Sequence, residues 1–273
     1  MVIELENSEP VIYSHYRMSY TERQLVRDMI KEMADSGIIT ESSSPYASQI
    51  VLVQKKTVEK RLCVDYRALN RKTKKTHYPL PRIEDQLDLL AGNTLLTSLD
   101  LASGYYQIPI SEESRSKTVF VTPDGHYEFN CMPFGFVNTP SVFQRTINKI
   151  LMEAKMKYAI VYMDDVLIPS KTFDEGIVRL EEVLKLLKRG GLTLKLSKCN
   201  FFYKTIDFLG FEVSANGIRP GSRKTDAVSK FPKPRNQYEL RQFLGLSGFF
   251  RRFIKGYATI TASLTSLLKK GSC

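Results

Sequence analysis

The alternation of apolar and polar positions divides this chain into recognisable pieces. Residues 159–161 and 166–168 are apolar runs that read as short buried strands, and they flank Tyr162-Met163-Asp164-Asp165. The spacing predicts a hairpin with both aspartates at its turn. Another β-prone run, 95–99, ends directly before Asp100. Helical spacing is equally plain. Ser19 and Glu22 make a capping box ahead of Leu25, Met29 and Met33 on one face, with Gly37 closing the helix. Residues 140–153 place Val142, Phe143, Ile147, Ile150 and Leu151 for burial behind Pro140 in the first turn. Residues 172–190 repeat Ile177, Leu180, Leu184 and Leu187 on one face after a Thr172/Glu175 capping box. A short helix is predicted over 83–90, strands over 48–54 and into 61–67, and a hairpin over 118–130 around Pro123-Asp124-Gly125. Ser42-Ser43-Ser44-Pro45, Pro79 and Pro81 break the chain between elements. The mixture predicts an α+β fold.

Beyond Gly217 the composition shifts toward Lys, Arg, Phe and Gly, and Pro232 and Pro234 separate two helical stretches, so a domain boundary is expected there. Residues 238–254 interleave Phe243, Phe249, Phe250 and Phe253 with Arg241, Arg251 and Arg252. That mix suits a small helical domain laying cations along a phosphate backbone, and equally an ordinary core of aromatics with solvated arginines.

A formal net charge of +11 on 273 residues favours a polyanionic partner, which such an excess needs to offset its own repulsion. Nucleic acid is preferred over a membrane, because no apolar run reaches the roughly 18 residues of a span and no signal peptide opens the chain. The expected location is intracellular. Cys63, Cys131, Cys199 and Cys273 form no Cys-x-x-Cys pair and His15, His77 and His126 stand apart, which argues against zinc and for reduced thiols. No Gly-rich phosphate loop of the P-loop or Rossmann kind occurs.

An Asp-Asp pair alone is usually a polar turn. Asp100 changes the weighing: if its strand neighbours the hairpin in one sheet, Asp100 and Asp164 can face each other across a gap fitting two Mg²⁺ ions about 3.5–4 Å apart, the equipment of phosphoryl transfer.

These residues carry a resemblance. The chain resembles the reverse transcriptase domain of a gypsy-class long-terminal-repeat retrotransposon polyprotein, and is similar to retroviral reverse transcriptases. The matching blocks run in the family's order: Ser42-Ser43-Ser44-Pro45, Cys63-Val64-Asp65-Tyr66-Arg67, residues 99–108, Met132-Pro133-Phe134-Gly135, residues 162–165, Gly191-Leu192-Thr193-Leu194, Phe208-Leu209-Gly210 and Phe243-Leu244-Gly245-Leu246. The resemblance implies a right-hand polymerase: fingers over 1–75 and 111–140, a palm of antiparallel sheet backed by helices over 76–110 and 141–216, and a small helical thumb over 217–273. It implies RNA- or DNA-templated addition of deoxynucleotides to a primer, with dNTPs as substrates and Mg²⁺ or Mn²⁺ as cofactor.

By the same resemblance Asp100, Asp164 and Asp165 are the catalytic acids, Asp100 and Asp164 ligating two metal ions with the Leu101 carbonyl, and Asp165 supporting the charge. Lys55 and Arg61 grip the triphosphate, although the turn at 57–60 lacks the family's Asp-Gly. Tyr105 lies under the sugar and excludes a 2′-hydroxyl, and Tyr106 is expected in the core. Phe134, where retroviral relatives often carry Gln, and Gly135 lie under the nucleotide and template base, with Gln144 on the next helix. Lys198 protonates departing pyrophosphate, and Phe208-Leu209-Gly210-Phe211 positions the primer end. Nothing resembles protease, RNase H or integrase, so the chain is expected to be one unit of a polyprotein acting in the cytoplasm, within virus-like particles. Two alternatives stand beside this: an inactive remnant that only binds duplex, and an RNA-directed RNA polymerase, which Tyr105 argues against.

Overall fold

Ser19 and Glu22 cap the first helix reciprocally, as their spacing predicts: Ser19 Oγ accepts the Glu22 N–H at 3.3 Å and Glu22 Oε2 accepts the Ser19 N–H at 3.2 Å. The computed structural model describes residues 1–7, 9–54, 60–81, 90, 92–101 and 103–268. The helix expected over 83–90 falls outside these, apart from Leu90. In chain order the strands are β1 (Ile39–Glu41), β2 (Ser48–Gln54), β3 (Lys60–Asp65), β4 (Leu95–Asp100), β5 (Phe120–Thr122), β6 (Gly125–Phe129), β7 (Ile160–Tyr162), β8 (Asp165–Ser170), β9 (Asn200–Tyr203), β10 (Thr205–Phe208), β11 (Phe211–Ser214) and β12 (Gly217–Pro220). The main helices are α1 (Tyr20–Asp35), α2 (Arg67–Lys72), α3 (Thr139–Ile150), α4 (Met152–Lys157), α5 (Phe173–Arg189), α6 (Ser222–Ser229), α7 (Gln237–Gly248) and α8 (Tyr257–Ser266). The fold is mixed α+β, as expected.

Contacts divide the chain into two units. The first is Met1–Pro81, Leu99–Leu167 and Leu180–Cys199; the second is Arg82–Ser98, Ile168–Arg179 and Asn200–Cys273. In the first, a sheet of order β1-β6-β5-β2-β3 pairs antiparallel except for β2 with β5. The 118–130 hairpin is there as expected, β5 and β6 turning through Pro123-Asp124, with Arg23 and Arg27 of α1 both on the Asp124 carboxylate. A further sheet has the order β7-β8-β4-β9, so β8 and β4 are neighbours. β7 and β8 pair Ile160 with Leu167 and Tyr162 with Asp165, and both arms are buried, as the apolar runs predict.

The second unit carries the antiparallel sheet β10-β11-β12 and helices α6 to α8. Within this unit the strands and the helices share aromatic contacts. Phe211 of β11 stacks on Phe249 at 5.2 Å and lies 5.9 Å from Phe253, so these strands share a core with the helices that follow. Of the aromatics in 238–254 Phe250 is buried, Phe243 and Phe253 are half-buried and Tyr238 and Phe249 are exposed, and Arg252 lies 4.8 Å over the Phe253 ring.

Two helix faces differ from the sequence expectation. On α1 the buried residues are Val26 and Ile30, while Leu25, Met29 and Met33 are only half-buried. On α5 Val183 and Leu187 are buried, but Ile177 and Leu184 are 44% and 39% exposed. Gly176 explains the rotation: a methyl group there would lie 2.8 Å from both Ser170 Oγ and the Phe202 ring, so the close face of the helix runs through Gly176. The helix predicted over 140–153 ends at Ile150, and α4 continues after Leu151.

Candidate active site

The acid hairpin turns on two residues, Met163 and Asp164, with Asp165 already paired in β8; this moves Asp165 out of the predicted turn. Met163 takes φ +51°, the left-handed backbone that a two-residue hairpin needs and a Met side chain resists. Gln144 of α3 supports it. This fully buried amide accepts the Met163 N–H at 2.8 Å and donates to the Val161 carbonyl at 3.2 Å and to Asn148 Oδ1 at 3.0 Å. Asp100 ends β4, and the Leu101 N–H donates to the Asp164 carbonyl at 3.0 Å, fastening the strand end to the turn. The two acid-bearing segments are thus joined through their backbones.

Gly104 completes the back of the site. A methyl group there would sit 2.5 Å from Asp164 Oδ1 and 2.6 Å from Phe143 Cζ, so only glycine allows this approach. Asp164 Oδ1, packed beneath it, is buried without a hydrogen-bond partner. Burial, then the charges of Asp165 and Asp100, push the Asp164 carboxyl up to about 6, with Lys198 opposing. Asp165 is raised by burial and by Asp100. Lys198 Nζ meets Asp100 Oδ2 at 3.0 Å.

These residues fit a hard divalent cation. The donors are all oxygen, one is an orphan, and the charge of Asp100 that raises the proton affinity of both hairpin acids is relieved by added positive charge. The arrangement is not a preformed cage: among the described residues no three His, Cys, Asp or Glu side chains are gathered closely enough to hold an ion.

In front of the acids lies a cleft of about 830 Å³ whose walls include Asp100, Leu101, Asp164, Lys198, Arg61 and Phe134. The Arg61 guanidinium lies 4.3 Å over the Phe134 ring. Phe134 also meets Tyr105 at 4.8 Å and Tyr106 at 5.1 Å, and Tyr105 meets Phe143 at 5.2 Å. Burial first, then the nearby Asp164 charge, raise the Tyr105 hydroxyl. Asn70 clamps the Phe134 loop, donating to the Gly135 carbonyl at 2.9 Å and accepting the Val137 N–H at 2.8 Å.

The structure therefore gathers most of the predicted site residues but sorts them. Tyr105 packs between Phe134 and Phe143, and Gln144 is spent on the hairpin backbone instead of facing a substrate. Lys55 lies outside the described residues. Tyr106, expected in the core, stacks on Phe129 at 6.1 Å yet also lines the cleft. Met29 and Met33 line it too, which their i,i+4 spacing signals as a face but not as this face. Gly104, four residues beyond Asp100, was the other residue missed; a glycine closely following a strand-end acid was its available signal.

Residues 53–213 match the family described as reverse transcriptase (RNA-dependent DNA polymerase). The chain is 39% identical over 274 residues to the retrovirus-related Pol polyprotein from transposon 297 of Drosophila melanogaster, covering 98% of this chain and 26% of that one. It is 37% identical to the corresponding polyprotein from transposon gypsy of the same organism, again with 98% and 26% coverage. The chain thus spans about a quarter of these relatives' length. Among solved structures it is similar to the foamy viral protease-reverse transcriptase, at 25% identity. The TM-score is 0.89 for its dRH form with double-stranded DNA, covering 96% of this chain and 46% of that one. It is 0.83 for the form with an RNA/DNA hybrid, covering 97% and 36%.

Proposed function

The chain belongs to the reverse transcriptase (RNA-dependent DNA polymerase) family, and from that premise we propose that it adds deoxynucleotides to a primer 3′-hydroxyl on an RNA or DNA template. The observation that carries this reading is the joining of Asp100 to the Asp164 turn in a cleft that Arg61 and Phe134 also line. The nucleic-acid partners in the foamy viral structures support it, as does the net charge of +11.

Asp100, Asp164 and the Leu101 carbonyl would hold two Mg²⁺ ions, or Mn²⁺ in their place; bound there, the cations ease loss of the 3′-hydroxyl proton and neutralise the leaving pyrophosphate. Asp165 adds charge to the cluster without entering the cleft wall. Arg61, its guanidinium 4.3 Å from the Phe134 ring, offers its N–H groups to the β- and γ-phosphates, a task Lys55 shares by resemblance. Phe134 and Gly135 form the floor for the base. Tyr105 fills the space a 2′-hydroxyl would need, and its ring is pinned between Phe134 and Phe143. Lys198 Nζ carries a proton at the cleft wall for the departing pyrophosphate. We assign residues 1–75 and 111–140 to fingers, 76–110 and 141–216 to palm, and 217–273 to thumb.

The test is extension of a DNA primer on an RNA template with dNTPs and Mg²⁺ or Mn²⁺, run beside Asp164→Asn and an rNTP control. Extension that needs metal and disappears in both controls is expected. Duplex binding without extension would instead make the chain a binding remnant.

A further inference from the structure

The turn after Thr193 grips the first catalytic acid at three points. The Lys195 N–H donates to the Asp100 carbonyl at 2.9 Å, the Asp100 N–H donates to Cys199 Sγ at 3.5 Å, and Lys198 Nζ reaches Asp100 Oδ2 at 3.0 Å. The turn is closed on itself: the Lys198 N–H donates to the Lys195 carbonyl at 2.9 Å, and the Cys199 thiol donates to the same oxygen at 3.4 Å. Asp100 is thus fixed at its backbone N–H and C=O, leaving only the carboxylate free to change partners. The two ends of the ion pair are unequal. The Lys198 side chain is 58% exposed and that of Asp100 20%, so the lysine can swing into solvent while the acid stays in the cleft wall.

Resting on the functional reading above, we propose that this turn is a clasp in which Lys198 holds Asp100 in place of a divalent cation and competes with that cation for it. The lysine offsets the mutual repulsion of the acids, since its charge also reaches Asp164 and Asp165. A doubly charged ion displaces a single ammonium at a carboxylate, and the geometry confines the exchange to side chains because Lys195 and Cys199 keep the Asp100 backbone in place. Displacement leaves Nζ charged on the cleft wall, released only once the metal has arrived. Lys198 is in this respect a positioning residue that acts through Asp100, and the timing of its release is set by metal binding.

The experiment is a Mn²⁺ titration of the protein without nucleotide or primer, followed by the electron paramagnetic resonance signal of free Mn²⁺. Lys198→Gln, which removes the competing charge at an exposed position, is expected to bind Mn²⁺ about fivefold tighter, the worth of one partly exposed ion pair. Lys198→Arg keeps the pair and is expected to stay within about twofold of the unsubstituted protein. Asp100→Asn should lose the Mn²⁺ site. Equal or weaker binding by Lys198→Gln, with the site still lost in Asp100→Asn, overturns the clasp and leaves the functional reading standing. Mn²⁺ binding indifferent to Asp100→Asn and Asp164→Asn, or no binding at all, sinks both.

Discussion

The two sides of the cleft are built differently. Behind the acids the contacts are buried and leave no slack: Gln144 spends its amide on the hairpin backbone, Gly104 admits Asp164 where a methyl group would collide, and Leu101 ties β4 to the turn. In front, Arg61 and Lys198 are exposed and held by single contacts, a ring face and a carboxylate. The difference follows from what each side must do. Carboxylates that share a cation need fixed separations, which buried hydrogen bonds and close packing supply. Phosphate-gripping cations must let substrate in and product out, and long side chains on weak contacts allow that.

The contrast breaks most readily at the acid itself. Asp164→Asn removes a charge from the cluster, and loss of extension by at least about a thousandfold is expected in a primer-extension assay. Next is Gly104→Ala, whose methyl group meets Asp164 Oδ1 and Phe143; a loss of roughly 1–3 kcal/mol in urea unfolding is expected, together with a lowered rate of incorporation. Gln144→Ala leaves the Met163 N–H and Val161 carbonyl unpaired in a buried place and should cost about 1–3 kcal/mol, read from the same unfolding curves.

A smaller effect concerns pH. Burial and the neighbouring acids raise the Asp164 carboxyl to about 6, above its ordinary range, so the folded protein binds that proton more tightly than the unfolded chain does. Its protonation therefore favours folding, fully so below pH about 4, and this advantage is lost as pH rises through about 6. Asp164→Asn should accordingly be more stable than the unsubstituted protein at pH 7 by roughly 1 kcal/mol after allowance for solvent screening, with the gap closing near pH 4. Thermal melts across that range decide it. Arg61→Ala, in the same cleft, should leave the melting temperature unchanged while weakening dNTP binding about tenfold, the reverse of the Gly104 signature.

Much of the site could be read from sequence because its elements are short-range. The apolar arms around Asp164 dictate a hairpin, the run before Asp100 dictates a strand, and Ser19 with Glu22 dictates a helix start. What the sequence withheld depends on tertiary contact. The buried face of α5 is set by Gly176 meeting Ser170 and Phe202, not by the leucine stripe. Met29 and Met33 look like core until the other walls of the cleft are placed. Tyr106 has one side against Phe129 and another in the cleft, a division that periodicity does not encode. The contact of the Phe211 ring with Phe249 and Phe253, about forty residues later in the chain, is likewise outside what a local pattern encodes. Gln144 shows the same: resemblance singles it out for the substrate, while the hydrogen bonds it makes go to the hairpin backbone and Asn148.

The most direct measurement is single-turnover incorporation of one dNTP, with dNTP concentration varied, on Gly104→Ala and Arg61→Ala side by side. The structure predicts that Gly104→Ala loses maximal rate while keeping its dNTP affinity, and that Arg61→Ala loses affinity while keeping most of its rate. Equal losses of rate and affinity in both variants would contradict the division of the cleft into a rigid acid wall and an adaptable phosphate wall.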